Sequence, residues 1–156
     1  MSLGLFPQLD LDHIYLSRAD VNEDFGSFSR HGFVLEDRDW PSVEHYYQAM
    51  KFESEVEQEK IRNAEHPKKA RKMGRSRLRK LRPDWREVKR VYMTRALYTK
   101  CKAWPEIAEK LLATGDKPLV ENSQYDYYWG CGRDRRGDNH YGRILMNVRE
   151  KLRSES

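Results

Sequence analysis

The apolar positions of this chain change their period several times, and each change marks an element. Asp12 to Ser17 carries Ile14, Tyr15 and Leu16 side by side, which predicts a short buried strand. Phe25 to Phe33 is punctuated by glycine and reads as a loop. Phe33-Val34-Leu35 and the polar turn Glu36-Asp37-Arg38-Asp39 then predict a small hairpin that delivers Trp40. Here the period becomes helical. Trp40 precedes a proline and is pushed to extended angles, and Ser42 is suited to accept from a first-turn amide, so a helix starts near Val43. Val43, Tyr46, Tyr47 and Met50 recur at i, i+3, i+4 and i+7 as an apolar stripe, while Glu44, Gln48 and Lys51 share another face at i, i+4 and i+7.

Ser54 and Glu57 have the spacing of a capping box, which predicts a second short helix toward Ala64. His66-Pro67 interrupts the pattern, and the basic run beyond it, with Ala70, Met73, Leu78 and Leu81 as apolar anchors, predicts broken helix. Pro83 to Glu87 is another capping signal, after which Trp85, Val88, Tyr92 and Ala96 keep helical spacing to about Cys101. Trp104-Pro105 opens a helix through Ile107, Ala108, Leu111 and Leu112, stopped by Gly115. Lys117 to Asp138 has little helical period: an apolar pair at Leu119-Val120, an aromatic and glycine stretch from Tyr125 to Gly132, and a charged loop. A last helix from Asp138 or Asn139 presents Tyr141, Ile144, Leu145, Val148 and Leu152 to the core. The expected fold is mainly α, or α+β with a small N-terminal hairpin: one multihelical domain over residues 12–153 behind an extension of residues 1–11.

At 156 residues the chain is long enough to close a single core. Its 38% hydrophobic and 35% charged residues describe a soluble protein, and no apolar run approaches a membrane span. The N-terminus lacks the pattern of a signal peptide. Cys101 and Cys131 show neither a CxxC pairing nor zinc spacing, so reduced thiols in a cytoplasmic protein are expected. His13, His31, His45, His66 and His140 are scattered, and no metal is expected. Cys131 with His140 or His45 suggests a thiol nucleophile, but nothing in the spacing selects a third, orienting group.

The net charge of +5 and pI near 9.2 invite a nucleic-acid reading until the charge is located. Lys68, Lys69, Arg71, Lys72, Arg75, Arg77, Arg79, Lys80 and Arg82 lie within fifteen residues with no acid among them. Removing those nine from the net +5 leaves −4, so the basicity is a local feature suited to gripping phosphate.

Six stretches, in order, resemble one family. They are Trp40-Pro-Ser-Val-Glu44-His-Tyr-Tyr-Gln48-Ala-Met-Lys51-Phe, Lys72-Met-Gly-Arg75, Asp84-Trp85, Thr114-Gly115, Asp126-Tyr-Tyr-Trp129-Gly130 and Asn139-His-Tyr-Gly142-Arg-Ile-Leu-Met146. Together they look like the NADAR (YbiA-like) family, from about Ile14 to Leu152. One stretch departs: where the family usually reads Phe-Ser-Asn-Phe, this chain has Phe28-Ser29-Arg30-His31. An amide expected to touch substrate is thereby replaced by a cation and an imidazole, making Arg30 and His31 candidate specificity residues.

The resemblance implies a cofactor-independent N-glycosidase acting on ribosylamino-pyrimidine phosphates of early riboflavin synthesis. Alternatives are a hydrolase removing ADP-ribose from guanine in nucleic acid, and a non-catalytic ADP-ribose or nucleic-acid binding module. The bond broken joins ribose C1 to an exocyclic nitrogen. Such a glycosylamine opens to an imine, so an amine can take C1 as a Schiff base while a carboxylate moves protons. Lys51 is the candidate amine and Glu44 the candidate acid/base, about 10 Å earlier along the helix axis. The helix dipole favours ionised Glu44 in the first turn, so it needs no metal. The other route is attack by water activated by Glu44, with Lys51 only holding the substrate. Glu44→Gln is expected to fold normally and lose hydrolysis.

Gln48 shares their helix face and joins the substrate-binding set. Lys72 and Arg75 match phosphate chemistry, with Gly74 permitting close approach. Trp85 and Trp129 either flank the base or fill the core. Asp126 orients a ribose hydroxyl or only a turn. Asn139, Tyr141 and Gly142 offer free amides at the start of the last helix, or Asn139 serves only as its cap.

Overall fold

Every residue of α1 (Val43–Ala49) is buried, its glutamate included, in the computed structural model, which describes residues 12–156. The extension expected over residues 1–11 lies outside the described residues. A helix buried on all sides is normally apolar all round. This one carries Glu44, His45 and Gln48 inside, so neighbouring elements must supply their hydrogen-bond partners. Ser42 caps it, accepting from the His45 amide at 3.2 Å, as its sequence position predicts.

Six helices and four three-residue strands make up the described chain, an α+β architecture in which helices predominate. Strand β1 (Ile14–Leu16) is followed by the hairpin of β2 (Phe33–Leu35) and β3 (Arg38–Trp40), antiparallel with Phe33 opposite Trp40. Glu36 and Asp37 at its tip both have positive φ, the two-residue turn whose twist suits a hairpin. It delivers Trp40, which donates from Nε1 to the Leu35 carbonyl at 3.0 Å and meets Tyr46 edge-on.

Around α1 pack α2 (Glu55–Arg62), α3 (Pro67–Gly74) and α4 (Trp85–Ala103); α5 (Pro105–Ala113) and α6 (His140–Glu155) close the far side against α4. Ser54 caps α2 by accepting from the Glu57 amide, and Gly115 ends the α5 segment at φ +64. Asp84 precedes α4 but makes no capping bond, because Arg82 occupies its carboxylate at 2.7 Å.

One strand was not expected and one expectation fails. Leu119 and Val120, read only as an apolar pair, belong to β4 (Leu119–Glu121), which runs parallel to β1 with Ile14 opposite Leu119. A three-residue strand has no measurable period, and its partner lies a hundred residues away in sequence. Leu78 and Leu81 are not anchors: Leu78 is 97% exposed and Leu81 is half exposed. Only Ala70 and Met73 of the basic run reach the core. Polar links hold the rest, Arg79 with Glu57 and the Arg82 amide with the Lys51 carbonyl at 2.8 Å. Among the described residues no helix is long and apolar enough to cross a membrane.

Candidate active site

The site begins with a carboxylate that has no contact with solvent. Glu44 Oε1 accepts from the Ser27 hydroxyl at 2.8 Å, and Oε2 accepts from Gln48 Nε2 at 2.6 Å and from Arg71 Nε at 3.1 Å. Arg18 Nη1 stands 3.7 Å from Oε1. Four parts of the chain thus converge: the turn after β1, the loop before β2, α1 itself, and α3. Burial pushes the Glu44 carboxyl up, but the two guanidiniums, together with the hydrogen bonds of Arg71 and Gln48, outweigh it and hold the pKa at about 2. Glu44 is ionised, as expected. The agents are Arg71 and Arg18 rather than the dipole of a seven-residue helix, and so firmly paired a carboxylate is a weak base while the pairs last.

Arg18 ties this carboxylate to the aromatic loop. Its Nη2 donates to Asp126 Oδ2 at 3.1 Å, and its backbone amide donates to Glu121 Oε2 at 2.8 Å. Asp126 also accepts the amides of Tyr128 and Trp129 at 3.0 and 2.8 Å. It is therefore both a turn aspartate and the far end of the ion-pair chain.

Lys51 lies in the turn just beyond α1, two residues past its end. Its Nζ sits 3.4 Å from the Gly74 carbonyl and 5.7 Å from the centre of the Tyr47 ring. Burial lowers its pKa to about 8 against the attraction of Glu44, with Arg75, Arg71 and Arg18 pushing the same way as burial. Acid and amine therefore belong to one electrostatic cluster.

Gln48 binds Glu44 through its amide nitrogen, while its Oε1 is buried without a hydrogen-bond partner. A Cβ on residue 74 would lie 2.0 Å from that oxygen, so Gly74 makes room for Gln48, not for the phosphate expected from sequence. Beside the cluster are two cavities that share Ala19, Arg71 and Arg75. The smaller, ≈ 590 Å³, is also lined by Arg18, Asp126 and Tyr128; the larger, ≈ 1430 Å³, by Phe28, Lys68, Lys69 and Lys72. Lys72 and Arg75 are exposed cations facing these openings.

The other sequence candidates are placed differently. Trp85 and Trp129 are 7% and 6% exposed and both pack on one ring, with centroids 5.1 and 5.6 Å from that of Tyr47. They form an aromatic floor rather than open stacking faces. Asn139 adopts a left-handed conformation and makes no capping bond to α6. Its side chain instead brackets β4, accepting from the Glu121 amide at 2.8 Å and donating to the Leu119 carbonyl at 2.9 Å. Gly142 allows α6 to touch that strand, since a Cβ there would come 2.1 Å from the Leu119 carbonyl oxygen, and Tyr141 donates to the Phe25 carbonyl at 2.6 Å. Arg30 is exposed and donates to the Glu65 carbonyl, and His31 stands edge-on to Trp104; neither touches Glu44 or lines the two cavities.

The thiol reading finds no support either. Cys131 donates to its neighbour's carbonyl and burial raises its pKa, while His45 is held by Ser42 and the Ala64 carbonyl, and His140 rests on Tyr128. Among the described residues no group of His, Cys, Asp and Glu is placed to hold a metal ion.

Sequence reasoning missed Arg18, Ser27 and Lys100, and it placed Arg71 only as one of the nine cations of the basic run. Lys100 is almost fully buried and donates to the Asp24 carbonyl at 2.5 Å, the Gly26 carbonyl at 2.9 Å and the Ser29 hydroxyl at 2.6 Å, fixing the loop that presents Ser27. A signal for it existed: Ala96, Leu97, Lys100 and Cys101 form one buried stripe of α4.

Comparison with known proteins identifies the family and the fold. Residues 11–153 match the sequence model described as the NADAR domain. The chain is 44% identical to an N-glycosidase of Nostoc punctiforme, over 83% of its own length and 85% of the relative's. It is 39% identical to the N-glycosidase YbiA of Escherichia coli over 90% of this chain and 88% of that one, and the solution NMR structure of E. coli YbiA superposes with a TM-score of 0.83 at 38% identity, covering 94% of this chain and 89% of that one. A protein of Vibrio vulnificus named for riboflavin biosynthesis is 38% identical over 92% of this chain, which spans 39% of that protein.

Proposed function

The chain belongs to the NADAR family and is a hydrolase of N-glycosyl bonds, and we propose that the bond it cleaves joins ribose C1 to the exocyclic nitrogen of a phosphorylated ribosylamino-pyrimidine. The observation that carries this reading is Lys51: an amine held near a pKa of 8 in the same cluster as an ionised, buried carboxylate whose partners Arg71 and Arg18 line a cation-rich cavity. A relative named for riboflavin biosynthesis supports the pyrimidine class.

In this reading the phosphate meets Arg75 and Lys72 at the cavity mouth, and ribose C1 comes over Lys51. The glycosylamine opens to an imine, and the neutral Lys51 amine adds to C1. Proton transfer to the base nitrogen then lets the C1–N bond break, leaving a Schiff base between Lys51 and the ribose phosphate. Water hydrolyses that Schiff base, releasing the aldehyde sugar and restoring the amine. The Glu44 carboxylate stabilises the cationic iminium electrostatically and relays the proton between amine and leaving group. No cofactor enters this sequence.

A second reading, removal of ADP-ribose from guanine in nucleic acid, is favoured by the size of the larger cavity and its row of Lys68, Lys69 and Lys72, more cationic wall than one phosphate requires. The deciding experiment follows release of the pyrimidine from a ribosylamino-pyrimidine 5′-phosphate beside release of ADP-ribose from modified guanine DNA. Turnover of the first is expected. Turnover of the DNA alone selects the second reading, and binding without turnover of either leaves a binding module.

A further inference from the structure

Arg71 is alone among the described residues in both hydrogen-bonding Glu44 and lining the two cavities. Its Nε donates to Glu44 Oε2 at 3.1 Å, its guanidinium carbon lies 4.4 Å from the centre of the Phe28 ring, and its Nη2 is buried without a hydrogen-bond partner. A guanidinium carries five N–H groups in a fork that fits phosphate or carboxylate two bonds at a time. Here the fork is only half engaged. A buried N–H without a partner is unfavourable, so the arrangement favours any anion that completes it. The cavity on its open side is lined by Arg75 and Lys72, the cations already assigned to phosphate.

We propose that Arg71 is a phosphate-responsive switch: paired with Glu44 in the free enzyme, it turns its fork to the substrate's phosphate, and Glu44 then takes up and returns the proton of C1–N cleavage. The inference rests on the glycosidase reading above and adds a dependence to it. Once Arg71 leaves, Glu44 keeps Ser27, Gln48 and the more distant Arg18, a set with one cation fewer in direct contact. Each cation withdrawn makes a buried carboxylate readier to accept a proton. The proton balance is simple: Glu44 accepts a proton from the Lys51 nitrogen after addition to C1 and donates it to the departing base nitrogen. Phosphate then contributes to the chemical step and not only to binding, so its loss appears in kcat.

The test compares the ribosylamino-pyrimidine with and without its 5′-phosphate, and the latter with inorganic phosphite supplied as a separate dianion. For the wild type, kcat on the unphosphorylated substrate is expected to fall about a hundredfold, and phosphite to recover about tenfold. In Arg71→Gln the phosphite response is expected to vanish, with kcat on the two substrates within about threefold. Arg75→Gln, in contrast, is expected to raise KM and retain the phosphite response. Arg71→Lys serves if the glutamine variant does not fold: it keeps the charge but not the fork, and should lose most of the response. Equal wild-type kcat on both substrates, with only KM changed, overturns the switch and leaves the glycosidase reading intact. No turnover of either substrate by wild type removes the glycosidase reading, and this inference with it.

Discussion

Gly74 and Gln48 share one space: a Cβ on residue 74 would stand 2.0 Å from Gln48 Oε1 and 2.8 Å from its Cβ. Gly74 ends α3, where alanine would ordinarily stabilise a helix by about 1 kcal/mol. Overpacking a filled interior costs about 1–3 kcal/mol and would also displace the amide that binds Glu44 at 2.6 Å. Gly74→Ala is therefore expected to lower stability by about 1 kcal/mol in urea unfolding and to reduce turnover at least tenfold. A more stable variant with full activity would show that Gln48 has slack the geometry denies.

Removing the Glu44 charge leaves Arg71 without a carboxylate partner and Arg18 with Asp126 alone. Glu44→Gln is expected to lose about 3–5 kcal/mol of stability as well as hydrolysis, which corrects the expectation from sequence that the variant folds normally. The pH dependence follows from the direction of the shift. The folded carboxyl titrates near 2, below its unfolded range, so its stabilisation is complete above about pH 4.5 and is lost as pH falls toward 2. Urea midpoints between pH 5 and 2.5 should fall more steeply for the wild type than for Glu44→Gln.

Lys51 has the opposite linkage. Its folded pKa, near 8, lies below the value of a free lysine, so the buried ammonium costs stability at neutral pH and the cost is relieved as pH rises from about 8 to 10.5. Lys51→Met is expected to be about 1–3 kcal/mol more stable at pH 7 and inactive. Wild-type kcat should rise with pH and level off above about 8, when the amine is neutral. A flat profile from pH 6 to 9 would remove the amine from the rate-limiting chemistry.

Lys100→Met orphans the Asp24 and Gly26 carbonyls and the Ser29 hydroxyl together. A loss of about 2–4 kcal/mol is expected, with a fall in activity because the loop that carries Ser27 loses its anchor. Cys131→Ala should stay within about twofold of wild-type activity, since burial raises that thiol's pKa and its Sγ donates to the Gly132 carbonyl, while His45 and His140 are held by other groups.

How much of this was legible in the sequence depends on range. Signals that act within one turn were reliable: Ser42 capping α1, the Ser54 and Glu57 capping box, the turn at Glu36 and Asp37, and Pro105 opening α5. Burial of Glu44 and Gln48 was not legible, because the face they share with Lys51 reads as solvated until α3 and the loop of Ser27 are folded over it. Strand β4 and the Asn139 bracket depend on contacts that no local pattern records. The resemblance pointed to Glu44 and Lys51, but Arg18 and Ser27 lie in stretches without period, and the structure alone brings them to the carboxylate.

The most direct test of the central claim, that Lys51 attacks ribose C1, is borohydride reduction during turnover of a ribosylamino-pyrimidine 5′-phosphate, followed by peptide mass mapping. A ribose-phosphate adduct on the peptide carrying Lys51, absent from Lys51→Met, is the expected result. Steady turnover with no adduct on Lys51 would contradict it and leave activated water as the nucleophile.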